Sequence, residues 1–209
     1  MSWFDNVFVI NLDRRPDRWA SVSKELSGSG ICTYRRVSAV DGSVLPVLNV
    51  KSADSTAVSR GDWGCTSSHR SVVATAVSEK LSRYVVFEDD VSLQFSIDCL
   101  EAYLEQIPND WALIYLGCTH QTPPEHVVGP IYKPTTAYTT HAMVVRDVIY
   151  KRLLDLWAAP EKVDVALATL QREFSFYCFK PQLAIQKDGH SDILERECSY
   201  GPNFRAHLS

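Results

Sequence analysis

The sequence predicts an α/β protein, with a central mixed, mostly parallel sheet flanked by helices. Three observations carry that expectation. Apolar runs such as Val7-Phe8-Val9-Ile10, Tyr84-Val85-Val86-Phe87 and Trp111 to Leu116 show no polar alternation, the pattern of strands buried on both faces. Between such runs lie apolar residues three and four apart, as in Trp19, Val22 and Leu26, the spacing of a helix that covers a sheet. With 209 residues and 45% hydrophobic content, the chain can bury one sizeable core but not two, so a single domain over 1–209 is expected.

The first strand is expected over Asn6 to Asn11. Pro16 suits the first turn of the helix that follows, and Gly28-Ser29-Gly30 should end it. Ile31 to Val37 reads as a second strand, with Ala39-Val40-Asp41-Gly42 as the turn after it. The stretch from Ser43 to Arg60 is polar, small and weakly periodic, the mark of a long surface connection. Gly61 to Cys65 leads into a helix from about Thr66 to Leu81, and Tyr84 to Phe87 is the next strand. A helix near Ile97 to Gln106, a strand at Trp111 to Leu116, a loop rich in Thr, Pro and His, and one or two strands over Tyr138 to Val145 come next. Helices over Arg146 to Trp157 and Val163 to Glu173 precede the apolar Phe174 to Phe179, and the tail from Pro181 to Ser209 is irregular by pattern.

Composition narrows the function. A formal net charge of -4 offers no basic face of the kind that neutralises nucleic-acid phosphates, so nucleic acid is not an expected partner. The first apolar run is too short to span a membrane, and Asp5 and Asn6 precede it where a signal peptide carries positive charge. The six cysteines are scattered singly without a C-x-x-C pair, which reads as mostly buried thiols in a reducing, cytoplasmic compartment.

Glu88-Asp89-Asp90 is the most informative segment. Three consecutive carboxylates directly after a buried strand repel one another unless a cation offsets their charge. A hard divalent metal takes one or two carboxylates and leaves its other positions to water and substrate phosphates. Ligands of α/β sheets also gather beyond the carboxyl ends of the strands, where this triplet falls. A phosphatase forming an aspartyl phosphate is the rival reading, but its nucleophile would be Glu88, whose longer side chain misplaces the attacking oxygen.

Several motifs occur in order: Val9-Ile10-Asn11-Leu12-Asp13-Arg14-Arg15-Pro16-Asp17-Arg18, Ala39-Val40-Asp41-Gly42, Gly64-Cys65 with Ser68-His69, Phe87-Glu88-Asp89-Asp90-Val91, and Ser191-Asp192-Ile193. On these the chain resembles glycosyltransferase family 25, which includes bacterial lipooligosaccharide and collagen hydroxylysine galactosyltransferases. The resemblance implies a GT-A, Rossmann-like nucleotide-sugar-binding fold, with 1–95 as the donor half and 96–209 as the acceptor half. It further implies Mn²⁺ or Mg²⁺, a UDP-sugar donor carrying galactose or glucose, a glycan or glycoprotein acceptor, inversion at the sugar carbon, and a soluble chain of bacterial or viral origin.

Glu88-Asp89-Asp90 would then be the D-x-D-like motif, with Asp90 and Glu88 toward the metal, Asp89 toward ribose or sugar, and His190 as a further metal ligand. Asn11, Asp13 and Arg14 would meet the nucleotide, with Asp41 and His69 on two further donor loops, while Arg14, Arg15 and Arg18 read equally as a solvated helix start. No G-x-x-x-x-G-K-[ST] loop is present, so the pyrophosphate would depend on the metal. An inverting transfer needs a carboxylate base, for which Asp164 is the first candidate and Asp192 the second. Where the family carries a glutamate-type acid before Gly-Cys, this chain has Asp62-Trp63. A metal-dependent nucleotide-sugar hydrolase or phosphohydrolase, and a non-catalytic nucleotide-sugar-binding module, are the alternatives.

Overall fold

The computed structural model describes residues 2–194 and 196–200. In chain order the elements are β1 (Val7–Asn11), α1 (Pro16–Gly28), β2 (Arg35–Ser38), α2 (Arg60–Ser78), β3 (Arg83–Glu88), β4 (Val91–Leu93), α3 (Ile97–Leu104) and β5 (Trp111–Tyr115). Then follow β6 (Thr119–His120), β7 (Glu125–Val128), β8 (Ile131–Lys133), β9 (Ala137–Tyr138), β10 (Ala142–Arg146), α4 (Tyr150–Leu156), α5 (Val163–Leu170), β11 (Ser175–Phe179), β12 (Ala184–Gln186), β13 (Gly189–Ser191) and β14 (Arg196–Cys198).

Eight strands form one sheet in the order β2-β1-β3-β10-β5-β11-β8-β7, and only β10 and β8 run against the other six. The alternation of side chains along a strand explains the layers. Phe8, Ile10, Tyr84 and Val86 point into a core closed by Val72 and Ala76 of α2, Leu153 of α4 and Leu167 of α5. Val7, Val9, Val85 and Phe87 point the other way, onto Val22 and Leu26 of α1 and Leu100 and Leu104 of α3. The central strands are therefore covered on both faces, as their unbroken apolar runs predict, while the edge strands β2 and β7 are exposed.

Four expectations are corrected. The second strand starts at Arg35 rather than Ile31, because Ile31 belongs to the end of α1. Its N–H donates to Leu26 O and that of Gly30 to Ser27 O, while Gly30 takes a φ of 89°, the left-handed residue of a Schellman cap. Helix α2 starts at Arg60 rather than Thr66, since Ser59 and Asp62 cap it reciprocally. Asp62 thus has a local structural role. The loop after β5 holds β6 and the β7–β8 hairpin, whose exposed β7 shows no apolar alternation. The described part of the tail holds β12, β13 and β14 rather than irregular chain, and the rest of that expectation lies outside the described residues.

Candidate functional site

The parallel strands β1 and β3 end side by side at Asn11 and Glu88, and a cleft opens at this carboxyl edge. Asn11, Arg14, Arg18, Asp41, Glu88 to Asp90 and Asp192 line it. One wall is a close approach between α2 and the turn at residues 39–42. A Cβ on Gly64 would stand 2.6 Å from Val40 O, and one on Gly42 would stand 2.5 Å from Arg60 O. The Val40 N–H donates to Ser68 Oγ over 2.8 Å, closing the same seam. Two separate sequence motifs are thus the two sides of one contact. Gly64→Ala is expected to cost about 1–3 kcal/mol by overpacking this seam and to weaken ligand binding in the cleft. Denaturant melts and a binding titration on the variant check it, and unchanged values for both would refute the contact.

The three acids have different surroundings. Glu88 accepts from His69 Nε2 at 3.0 Å and Thr140 Oγ1 at 2.6 Å. Burial pushes its carboxyl up, but the His69 hydrogen bond and charge outweigh that and hold it below the usual range. Asp89 accepts from Asn11 Nδ2 at 2.7 Å and Arg18 Nη1 at 2.9 Å, and burial still raises its pKa. Asp90 is the least compensated. Its Oδ1 is buried without a hydrogen-bond partner among the described residues, and its Oδ2 has Gln186 Nε2 at 3.4 Å and Arg18 Nη1 at 3.7 Å. Burial, then the charge of Glu88, push its pKa up to about 7. A hard divalent cation fits this carboxylate, because it would satisfy the orphaned oxygen and offset the repulsion.

The remaining predicted residues divide into those inside the cleft and those behind or beside it. Asn11 is nearly fully buried and its amide is fully engaged, holding Asp89 on one side and accepting from Arg36 Nε at 2.9 Å on the other. Asp41 takes Arg14 Nε at 2.7 Å and the Ser43 N–H, and the Arg14 bond lowers its pKa to about 2. His69 is buried behind Glu88, and Asp13 lies outside the cleft lining, bonded to Ser38 and Arg36. His190 has an exposed side chain on β13, and what reaches the site is its carbonyl, which accepts from Arg18 Nη2 at 2.5 Å. Among the described residues its ring joins no group of side chains close enough to share an ion. Asp192 lines the cleft and accepts from Arg14 Nη1 and Arg15 Nη1, each at 2.6 Å. Asp164 sits at the start of α5, off the cleft lining, where burial raises its pKa against hydrogen bonds from the Thr139 and Val165 N–H groups.

Arg18 is the residue that pattern alone undervalued. One guanidinium meets Asp89, Asp90, Asp192 and the His190 carbonyl, gathering three chain segments at the acids. His141, on the chain just before β10, is buried beneath Glu88, whose N–H donates to its carbonyl. Burial lowers its pKa from 6.5 to about 4. Between those values the unfolded chain binds the proton and the folded one does not, so stability is complete above 6.5 and is lost as pH falls toward 4. At about 1.36 kcal/mol per unit the loss is at most on the order of 3 kcal/mol. Urea melts across this range should show that slope, and His141→Gln should flatten it; an unchanged slope in the variant would refute the assignment.

Residues 4–154 match the model of glycosyltransferase family 25 (LPS biosynthesis protein). The chain is 36% identical over 143 residues to the inactive glycosyltransferase 25 family member 3 of Mus musculus, covering 59% of this chain and 24% of that protein. It is 33% identical over 130 residues to procollagen galactosyltransferase 2 of Homo sapiens, covering 54% of this chain and 21% of that protein. The chain thus spans less than a quarter of the length of these curated relatives. In structure it is similar to a glycosyltransferase involved in the glycosylation of the major capsid of PBCV-1, with a TM-score of 0.54, 9% identity, and coverage of 91% of this chain and 95% of that one. The architecture is that of the GT-A glycosyltransferases.

Proposed function

Because the chain belongs to glycosyltransferase family 25, we propose that its cleft binds a UDP-sugar with Mn²⁺ or Mg²⁺ and that the protein transfers a hexose, galactose or glucose, to a hydroxyl of a glycan or glycoprotein. The observation that supports this best is the buried Oδ1 of Asp90, unpartnered among the described residues and beside Arg18 at the carboxyl edge of the parallel strands. Such a carboxylate suits a cation shared with substrate phosphates better than one caged by protein alone. When bound, the metal supplies positive charge against the leaving diphosphate. Arg18 and Arg14, both in the cleft lining, provide further cationic donors for the pyrophosphate. Asn11 and His69 keep Asp89 and Glu88 in place, so the acids do not have to rearrange as the donor arrives. For the base, Asp164 and Asp192 are the two candidates: Asp192 lines the cleft but accepts from Arg14 and Arg15, whereas Asp164 is free of arginines among the described residues but sits at the start of α5, off the cleft lining.

A second reading, a binding module without turnover, has a specific observation in its favour. Arg18 already lies against Asp89 and Asp90, and the mouse relative is named inactive. Titration with UDP-galactose, UDP-glucose and GDP-mannose, with and without Mn²⁺, separates the possibilities when free UDP is followed in the same samples. Metal-dependent binding of a UDP-sugar, consumed only when an acceptor is added, is the expected result. Consumption at full rate without acceptor would make it a hydrolase, and binding without any consumption would make it a module. Equal affinity without metal would overturn the proposal.

A further inference from the structure

We propose that Cys118, His120 and Cys178 form a second metal site, separate from the acidic cleft, that takes a thiophilic divalent cation, Zn²⁺ before any other. The three side chains are buried together, at 1%, 8% and 1% exposure. His120 Nε2 lies 3.6 Å from Cys118 Sγ and 4.0 Å from Cys178 Sγ, and the three ligand atoms all fall within 4.8 Å of one another. Zinc bonds of about 2.3 Å to sulfur and about 2.0–2.1 Å to nitrogen, set at tetrahedral angles, put ligand sulfur and nitrogen about 3.6 Å apart. The cluster has that spacing with little adjustment.

Each ligand is fixed from a different part of the chain. Cys118 lies just past β5, and Gln182 grips its backbone on both sides, accepting from Cys118 N at 3.1 Å and donating to Cys118 O at 2.7 Å. His120 is on β6, whose register against β9 sets it opposite Ala137, and Cys178 is on β11 inside the main sheet. This arrangement is preorganised, as a metal site needs. The cysteines are 60 residues apart in sequence, which is why no close-spaced motif announces them.

The chemistry of the set agrees. Two sulfurs and one imidazole are ligand types that zinc takes. Binding would release the thiol protons to solvent and leave two thiolates and one imidazole on the ion. Thiolates select zinc over the hard cations suited to Glu88, Asp89 and Asp90, so the two sites would not compete for one metal. The Cys178 thiol donates to the Tyr132 carbonyl over 3.6 Å, a hydrogen bond that metal binding would replace. The ion would staple the β5–β6 connection to β11.

The test is metal analysis of the whole chain purified without chelators, followed by reconstitution with Co²⁺ as a spectroscopic probe. About one equivalent of Zn²⁺ per chain is expected, with a thiolate-to-cobalt charge-transfer band on exchange. Cys178→Ser and His120→Ala should lose both, and Asp90→Asn should keep both. Because the first two variants can fail to fold, the unaltered chain is also titrated with an organomercurial, which should release zinc in step with thiol modification. Absence of zinc with no cobalt band, or a Cys118–Cys178 disulfide in the protein as isolated, would overturn the proposal.

Discussion

Asp90→Asn is expected to lower metal affinity, and with it metal-dependent donor binding, by at least about 100-fold, since loss of even an outer-shell partner costs 10–100-fold. The same variant should leave the metal-free fold no less stable at neutral pH. Both outcomes follow from one feature, a carboxylate buried beside two others with one oxygen unpartnered among the described residues. Its folded pKa of about 7 lies above the unfolded 3.8, so its contribution to stability is full below 3.8 and is lost as pH rises through 7. Asparagine keeps the shape and removes the charge, so the metal-free protein sheds that penalty while the metal loses its anionic ligand. Thermal melts with and without Mn²⁺, paired with donor titration, read the two effects separately. Wild-type protein should gain stability from Mn²⁺ and the variant should not. A variant that still gains it, or that binds donor with undiminished metal dependence, would remove Asp90 from the centre of the site.

What the sequence disclosed and what it hid have physical causes. The triplet was legible because three charges after a buried strand are costly, and that cost shows in the sequence without any knowledge of neighbours. The glycine motifs were visible as motifs, but their reason was not. Gly42 and Gly64 matter because two backbones meet there, and a contact across more than 20 residues leaves no local pattern. Arg18 and Asp192 are the sharper case. Arg18 reads locally as a solvated charge and Asp192 as a second candidate base, and only the return of the chain at residues 190–192 to α1 makes them one cluster. The same return carries the His190 carbonyl into the site and leaves its ring outside, because alternation along β13 fixes which group points where. The unbroken strands could be read directly, since burial on both faces is a property of each strand alone. The hairpin β7–β8 could not, because its exposed face follows no apolar period.

Trp157→Ala is expected to give the largest loss of stability, about 3–5 kcal/mol, as for large aromatic deletions in a core. At about 2–4 °C per kcal/mol for a chain of this size, the melting temperature should fall by about 6–20 °C. Trp157 is 1% exposed at the end of α4 and among the largest side chains that close the core against α2. Its indole Nε1 has no hydrogen-bond partner among the described residues, so Trp157→Phe gives up ring volume but also removes a buried orphan donor, and should lose well under half as much. The effect should also reach the cleft. The indole lies 6.1 Å, centroid to centroid, from the His69 ring, and His69 Nε2 holds Glu88 at 3.0 Å. With the indole gone, His69 has room to tilt, and metal-dependent donor binding should weaken even at temperatures where the variant is folded. Titration at such a temperature, with circular dichroism to confirm the folded state, distinguishes the two consequences. A variant that melts early yet binds donor as tightly as wild type would show that His69 is held by Glu88 and its own helix alone, and that the core supports the site only by keeping the chain folded.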